Sequence, residues 1–223
     1  MLPRILEPEV LDTAQDARDY DAMDHSHVNA RFVTDFLAFH GTSRGGNYLD
    51  VGTGTARIPI LLAKADENAR IVALDLAEEM LVLARRNILE AGLESRVFPL
   101  LQDAKAIPRN DFEFEAVVSN SIIHHIPEPS YALSEMVRLT APGGTLFLRD
   151  LERPENQESL DRLVQTYAGQ ESEEARSLFR NSLHAALTLD ELTVLTNALG
   201  IPRSSVSRTS DRHWTLAWHR PIL

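Results

Sequence analysis

The sequence predicts a doubly wound α/β fold with a mostly parallel sheet, on three observations. Between residues 47 and 150, short apolar runs alternate with stretches whose apolar residues recur at helical spacing. That alternation is the signature of a parallel sheet covered by helices on both faces. The first run passes through Tyr48-Leu-Asp-Val-Gly-Thr-Gly-Thr-Ala-Arg57, a strand feeding a glycine turn that opens a helix. Such a turn lets the backbone approach a ligand closely and points free helix-start N–H groups at it. The second run, Ile71-Val-Ala-Leu-Asp75, delivers a carboxylate placed to take both hydroxyls of a ribose.

The remaining elements follow along the chain. Val28, Phe32, Val33, Phe36 and Leu37 recur at helical spacing and predict helical material over 9–40, ending near His40-Gly41. Ile58 to Leu62 open the helix after the glycine turn, and Met80, Leu81, Ala84 and Ile88 mark another after Asp75. Phe114 to Asn120 reads as a strand and Ser121 to Pro127 as the loop beyond its end. Ala141-Pro-Gly-Gly144 predicts a helix stop and turn before a strand ending at Leu148. Residues 154–200 are helical again. Leu160, Leu163, Val164 and Tyr167 mark one helix, and Ala175, Leu178, Phe179 and Leu183 a second. A third starts at Thr188 with Glu191 three residues on, a capping box, and stops at Gly200-Ile-Pro202. Trp214, Leu216 and Trp218 alternate as in a strand.

Composition narrows the function. A length of 223 residues suits one domain with an embellishment. No apolar run reaches the roughly 20 residues needed to span a bilayer, and the N-terminus lacks the basic start and apolar block of a signal peptide. The absence of cysteine excludes disulfides, thiolate metal sites and cysteine nucleophiles, and fits a cytoplasmic location. A net charge of −11 speaks against a nucleic-acid substrate, because gripping a phosphate backbone needs a basic surface. The partner expected is a small molecule, with no nucleic acid and no membrane insertion.

Two cofactors compete for the glycine turn. The dinucleotide fingerprint Gly-x-Gly-x-x-Gly puts Arg57 where its last glycine belongs. The spacing acid-x-Gly-x-Gly-x-Gly is met by Asp50, Gly52, Gly54 and, with one substitution, Ala56. This run resembles the first motif of the class I S-adenosylmethionine-dependent methyltransferases. Leu76-Ala-Glu-Glu-Met-Leu81, Leu100 to Pro108 with Asp103-Ala104, the Asn120 strand end with His124-His125, and the Pro142-Gly-Gly144 turn are similar to later segments of that family, in order. Asp19-Tyr20-Asp21-Ala-Met23 is similar to a segment preceding the cofactor domain in quinone-biosynthesis methyltransferases of the UbiE type.

The resemblance implies a seven-stranded sheet whose last strand is antiparallel, in a single domain of 1–223. That domain would comprise a helical cap at 9–40, a cofactor core at 45–150, a helical substrate lid at 154–187, and a C-terminal helix and strand hairpin at 188–223. It implies S-adenosylmethionine held by Asp50 and the close backbone of Gly52 and Gly54, with Asp75 on the ribose. Leu76 lies beside it, Asp103 and Ala104 read adenine, and Asn120 sits near the methionine portion. The expected reaction is in-line displacement of the sulfonium methyl onto a carbon or oxygen of a small molecule. Protein or RNA methylation and a non-catalytic S-adenosylmethionine-binding module remain alternatives.

A base is needed only if the nucleophile carries a proton of high pKa, and histidine suits that work. His124 and His125 are the candidates, the alternative being that they serve the loop's structure. Tyr20, Met23, His25 and Arg149 are the candidate substrate contacts, with a surface salt bridge the alternative for Arg149. No metal is expected. His25-x-His27 lacks a third histidine at ligand spacing, and only Asp150 offers an acid at the fifth strand's end. The Asn/Asp-Pro-Pro-Tyr/Phe signature of exocyclic amino methylation is missing at Asn120-Ser-Ile-Ile123.

Overall fold

The computed structural model describes residues 1–9, 12–42 and 44–222, so residues 10 and 11 of the expected 9–40 helical segment lie outside the described residues. The elements in chain order are α1 (Ala14–Ala22), α2 (Ser26–His40), β1 (Gly46–Val51), α3 (Arg57–Ala65), β2 (Ala69–Asp75), α4 (Glu78–Glu90) and β3 (Val97–Leu101). They continue with β4 (Phe114–Asn120), α5 (Pro129–Leu139), β5 (Thr140–Leu151), α6 (Gln157–Ala168), α7 (Glu173–Ala185), α8 (Leu189–Ala198), β6 (Val206–Arg208) and β7 (His213–His219). The strands hydrogen-bond in the order β3-β2-β1-β4-β5-β7-β6. β1 runs parallel to β2 and β4, β2 runs parallel to β3, and β6 and β7 are antiparallel. The expected doubly wound, mostly parallel seven-stranded sheet is therefore present. Strand order reverses beside β1, where Asp50 pairs with Ala73 on one side and Val118 on the other. Ligands bind at such a switch point in open α/β sheets.

The residues pack as two compact units. One comprises Val10–Asn120, Tyr131–Leu148 and Ala217–Leu223; the other comprises Met1–Glu9, Ser121–Ser130 and Arg149–Leu216. In the first, Phe32, Val33 and Phe36 of α2 are buried with Tyr48, Ile71 and Phe147. Val28, on the same predicted stripe, is 38% exposed. The helical material breaks at Met23–His25, where Asp24 accepts a bond from the Ser26 N–H at 2.9 Å. An Asx bond of this kind satisfies one of the free donors of a new helix.

A buried polar chain crosses this unit. Tyr48 donates its hydroxyl to Asp66 at 2.9 Å, and His40 Nε2 lies 3.0 Å from the same hydroxyl oxygen. His40 Nδ1 is 2.7 Å from the Thr145 hydroxyl. Because the Tyr48 proton is spent on Asp66, His40 donates from Nε2 and accepts at Nδ1. Burial, helped by Arg44, pushes the His40 pKa down to about 4. The unfolded chain takes up a proton near pH 6.5 and the folded chain only near 4, so this side chain's contribution is present above about 6.5 and lost as pH falls towards 4. The stability gap between wild type and His40→Gln should therefore shrink by up to about 3 kcal/mol over that window. Urea denaturation of both proteins at several pH values checks this, and a gap that is constant with pH would contradict it.

In the second unit Leu151, Leu160, Leu163, Val164, Leu183 and Ala186 form the core. Its helices α6, α7 and α8 are capped: Asn156 accepts from the Ser159 N–H, Ser172 from the Ala175 N–H, and Thr188 with Glu191 forms the expected capping box. The N-terminal residues join this unit through Arg4, whose guanidinium donates to the carbonyls of Ala185 (2.6 Å), Ile126 (2.9 Å), Pro127 (3.1 Å) and His124 (3.4 Å). β5 is longer than the expected strand, running from Thr140 to Leu151. The Pro142-Gly-Gly144 turn belongs to its ladder because Gly143 N–H donates to Arg220 O and Arg220 N–H to Gly144 O.

Candidate functional site

The turn after β1 is held from two sides. The N–H groups of Gly52 and Thr53 both donate to Leu74 O at 2.8 Å. Gly54 N–H donates to Asp75 Oδ2 at 2.7 Å, and Ala77 N–H to Asp75 Oδ1 at 2.9 Å. Gly52 (φ 75°) and Gly54 (φ 54°) occupy the left-handed region. A side chain on Gly54 would bring its Cβ to 3.4 Å from the Tyr20 ring. Ala56 is also left-handed (φ 63°) and fully buried, a conformation costing an L-residue roughly 1–2 kcal/mol. Its methyl thus matters through backbone strain, whereas the sequence pattern pointed to close approach.

Asp50 is 2% exposed, and its Oδ2 is buried without a hydrogen-bond partner. Burial pushes its carboxyl up to about 7, with the Thr53 hydroxyl opposing the rise and the Asp75 charge adding to it. An orphaned buried carboxylate is costly unless something pairs with it. Asp75 is likewise pushed up by burial, against the pull of the Ala77 and Gly54 N–H groups. A carboxylate has about four acceptor sites, so Asp75 keeps roughly two for a ligand.

A cavity of about 550 Å³ opens beside this turn, lined in part by Gly52, Thr53, Asn120, Tyr20, Met23 and His25. Of the predicted site residues, the structure therefore brings Gly52, Asn120, Tyr20, Met23 and His25 to one cavity. The Tyr20 and His25 rings lie 5.1 Å apart. Asp21, also in the wall, pins α1 in place: it accepts from Arg57 and Arg86 at 2.9 Å and from Asn87 at 3.2 Å. Despite the cost of burial, Arg57 and Asn87 hold Asp21 below the usual carboxylate range. No local spacing links Asp21 to Arg57, Arg86 or Asn87, which lie 36 to 66 residues away in the chain. Leu76 is 38% exposed beside Asp75, and Ala104 is buried. Asp103 accepts from the Lys105 N–H at 2.8 Å and pairs with its ammonium at 3.0 Å.

The other predicted residues belong to the second unit. His124 is buried, its Nδ1 2.5 Å from Asp150 Oδ1 and its Nε2 3.6 Å from Glu7 Oε1. Its pKa is raised: burial opposes the charge, but Asp150 and Glu7 outweigh it. His125 is more open, with Nδ1 3.0 Å from the same Glu7 oxygen. Arg149 lies inside β5, is buried, and donates from Nε to the Thr215 hydroxyl at 3.0 Å. It is neither beyond the strand nor at the surface, because β5 runs to Leu151.

A profile of the methyltransferase-domain family matches residues 42–197. The chain belongs to that family. Among curated members it is similar to a phosphatidylethanolamine N-methyltransferase of Cereibacter sphaeroides, at 32% identity over 50% of this chain and 53% of that one. It is also similar to a demethylmenaquinone methyltransferase of Thermus thermophilus, at 36% over 48% and 47%. The chain spans about half the length of the curated relatives it matches. Among solved structures, a Methanococcus maripaludis protein described as a putative S-adenosyl-L-methionine-dependent methyltransferase superposes with a TM-score of 0.75 over 98% of both chains, at 19% identity. The plantazolicin methyltransferase BpumL, solved with a triazolic desmethylPZN analog and SAH, superposes with a TM-score of 0.72 over 93% of this chain and 90% of that one, at 14% identity. At these identities the structural likeness concerns the methyltransferase fold alone. No described helix is long and apolar enough to cross a membrane.

Proposed function

We propose that this chain transfers the methyl group of S-adenosylmethionine to a carbon or oxygen atom of a small molecule. The observation that carries the reading is the unpaired, buried Asp50 oxygen just before a left-handed glycine turn, with the Asp75 carboxylate anchoring that turn from the neighbouring strand. The residues fit the cofactor: Asp50 would face its cationic amino-acid portion, and Gly52 and Gly54 leave room for it. Asp75 has acceptor sites for two ribose hydroxyls, and Asp103 and Ala104 would lie at the adenine. The cofactor supplies an electrophilic sulfonium methyl. The chain's own part is to hold the acceptor in line near 3–3.5 Å and keep water out.

A cavity of about 550 Å³ is of small-molecule size. Two of the relatives, a ubiquinone-biosynthesis O-methyltransferase and a demethylmenaquinone methyltransferase, carry names that favour a ring-bearing acceptor. Tyr20, Met23 and His25 are the acceptor contacts in this reading. Neither His124, buried against Asp150, nor His125, beside Glu7, is among the residues that line the cavity, so this reading assigns the pair no role as base.

Calorimetry tests the proposal. S-adenosylhomocysteine should bind once per chain and NADH not at all. S-adenosylmethionine affinity should rise as pH increases through about 7, because binding a cation favours the ionised Asp50 and a proton must leave below that pH. Asp50→Asn should flatten the dependence. Absence of S-adenosylhomocysteine uptake at any pH would sink the reading.

A further inference from the structure

Within the second unit, three side chains converge that no part of the methyl-transfer reading uses. Glu7, His124 and His125 each offer one ligand atom, a carboxylate oxygen and two ring nitrogens, and these lie within 4.8 Å of one another. Glu7 Oε1 is 3.6 Å from the first and 3.0 Å from the second. Donor atoms placed tetrahedrally at 2.0–2.1 Å around zinc are roughly 3.4 Å apart, so both separations bracket the required edge. The cluster is sheltered: side-chain exposure is 5% for His124, 9% for Glu7 and 32% for His125. The more open His125 offers an approach from solvent.

An independent feature aims the donors. Asp150, 1% exposed, holds His124 Nδ1 at 2.5 Å and also accepts the His124 and Ile123 N–H groups at 3.2 and 2.6 Å. With Nδ1–H committed to that carboxylate, Nε2 is the nitrogen left to ligate, and it lies on the side of Glu7. A carboxylate orienting the far nitrogen of a ligating histidine is the usual outer support of a metal site. Arg4, the nearby cation, is spent on four main-chain carbonyls. The Ser182 hydroxyl donates to the Glu7 carboxylate at 3.3 Å, fixing its orientation.

We propose that Glu7, His124 and His125 bind a divalent first-row transition cation of the zinc class, with Asp150 as a positioning residue. Two imidazoles and one carboxylate suit Zn²⁺, Co²⁺ or Fe²⁺ and not Mg²⁺, which prefers oxygen donors and water. Three protein ligands leave at least one position open to water or to an oxygen of a bound molecule. The cation would also tie the N-terminal segment to the histidine loop within this unit. The inference does not rest on the methyl-transfer reading.

The test uses the full chain stripped of metal and titrated with Zn²⁺ against a chromophoric chelator, then with Co²⁺ followed by visible absorption. One Zn²⁺ per chain and a Co²⁺ ligand-field spectrum are expected, with Mg²⁺ failing to compete. Glu7→Gln and His125→Ala should each weaken Zn²⁺ binding at least tenfold, and Asp150→Asn about 10–100-fold. Zinc-edge absorption spectroscopy on the wild-type protein needs no variant; it should show two imidazoles and a carboxylate oxygen. No uptake of Zn²⁺ or Co²⁺, a coordination shell without imidazole, or undiminished binding in both Glu7→Gln and His125→Ala would overturn the site. S-adenosylhomocysteine calorimetry on the same sample reports separately on the cofactor reading.

Discussion

Replacing Asp75 by alanine should weaken S-adenosylhomocysteine binding by about 1.5–3 kcal/mol, a loss of roughly 10- to 150-fold. Two effects add. The ribose hydroxyls lose an ionised acceptor, and the turn loses the anchor that receives the Gly54 and Ala77 N–H groups at 2.7 and 2.9 Å. Asp75→Asn separates them. Its amide oxygen can still accept one backbone bond, but the charge and the second acceptor are gone. Asn should therefore retain more of the melting temperature than Ala while losing most of the affinity. Calorimetry and thermal melts on the three proteins decide it. If the dissociation constant is unchanged in both variants, Asp75 does not hold the ribose.

The largest effect on stability is expected at Phe36. Its side chain is fully buried, and its ring lies 5.8 Å from Phe147 and 6.0 Å from Tyr48, edge to face, and 5.0 Å from His40, stacked. Phe36→Ala removes a large apolar group and leaves a cavity whose walls are held by the sheet, which costs about 3–5 kcal/mol. Edge-to-face ring contacts are lost in addition. Against a total stability of about 5–15 kcal/mol for a typical domain, this is a major fraction. Leu89→Ala, on a helix face where the residue is 63% exposed, is the control and should stay within about 0.5 kcal/mol. Urea midpoints report both, and equal shifts for the two would contradict the packing described.

Most of the fold was legible because its signals are local. The capping box at Thr188 and Glu191, the stripe through Phe32, Val33 and Phe36, and the alternation at Trp214, Leu216 and Trp218 each arise from neighbours a few residues apart. The glycine turn was legible for the same reason. Val28 lies on the expected helix yet is exposed, because periodicity gives a face but not how far a neighbour covers it. The end of the fifth strand was set at Leu148 because apolar character fades there, yet the ladder carries the polar Arg149 and Asp150 on to Leu151.

By itself, the order of residues determined the α/β class, the strand that ends at Asp50, the turn after it and the acid that follows at Asp75. These depend on spacings of two to about four residues, the range over which backbone geometry repeats. Only the tertiary structure decided that Asp50 keeps an unpaired oxygen, that Asp21 binds three partners up to 66 residues away, and that Ala56 sits in a left-handed conformation. Only it brought Glu7 beside His124 and His125. Burial and charge pairing depend on which distant segments the folded backbone lays side by side, and no local spacing encodes that.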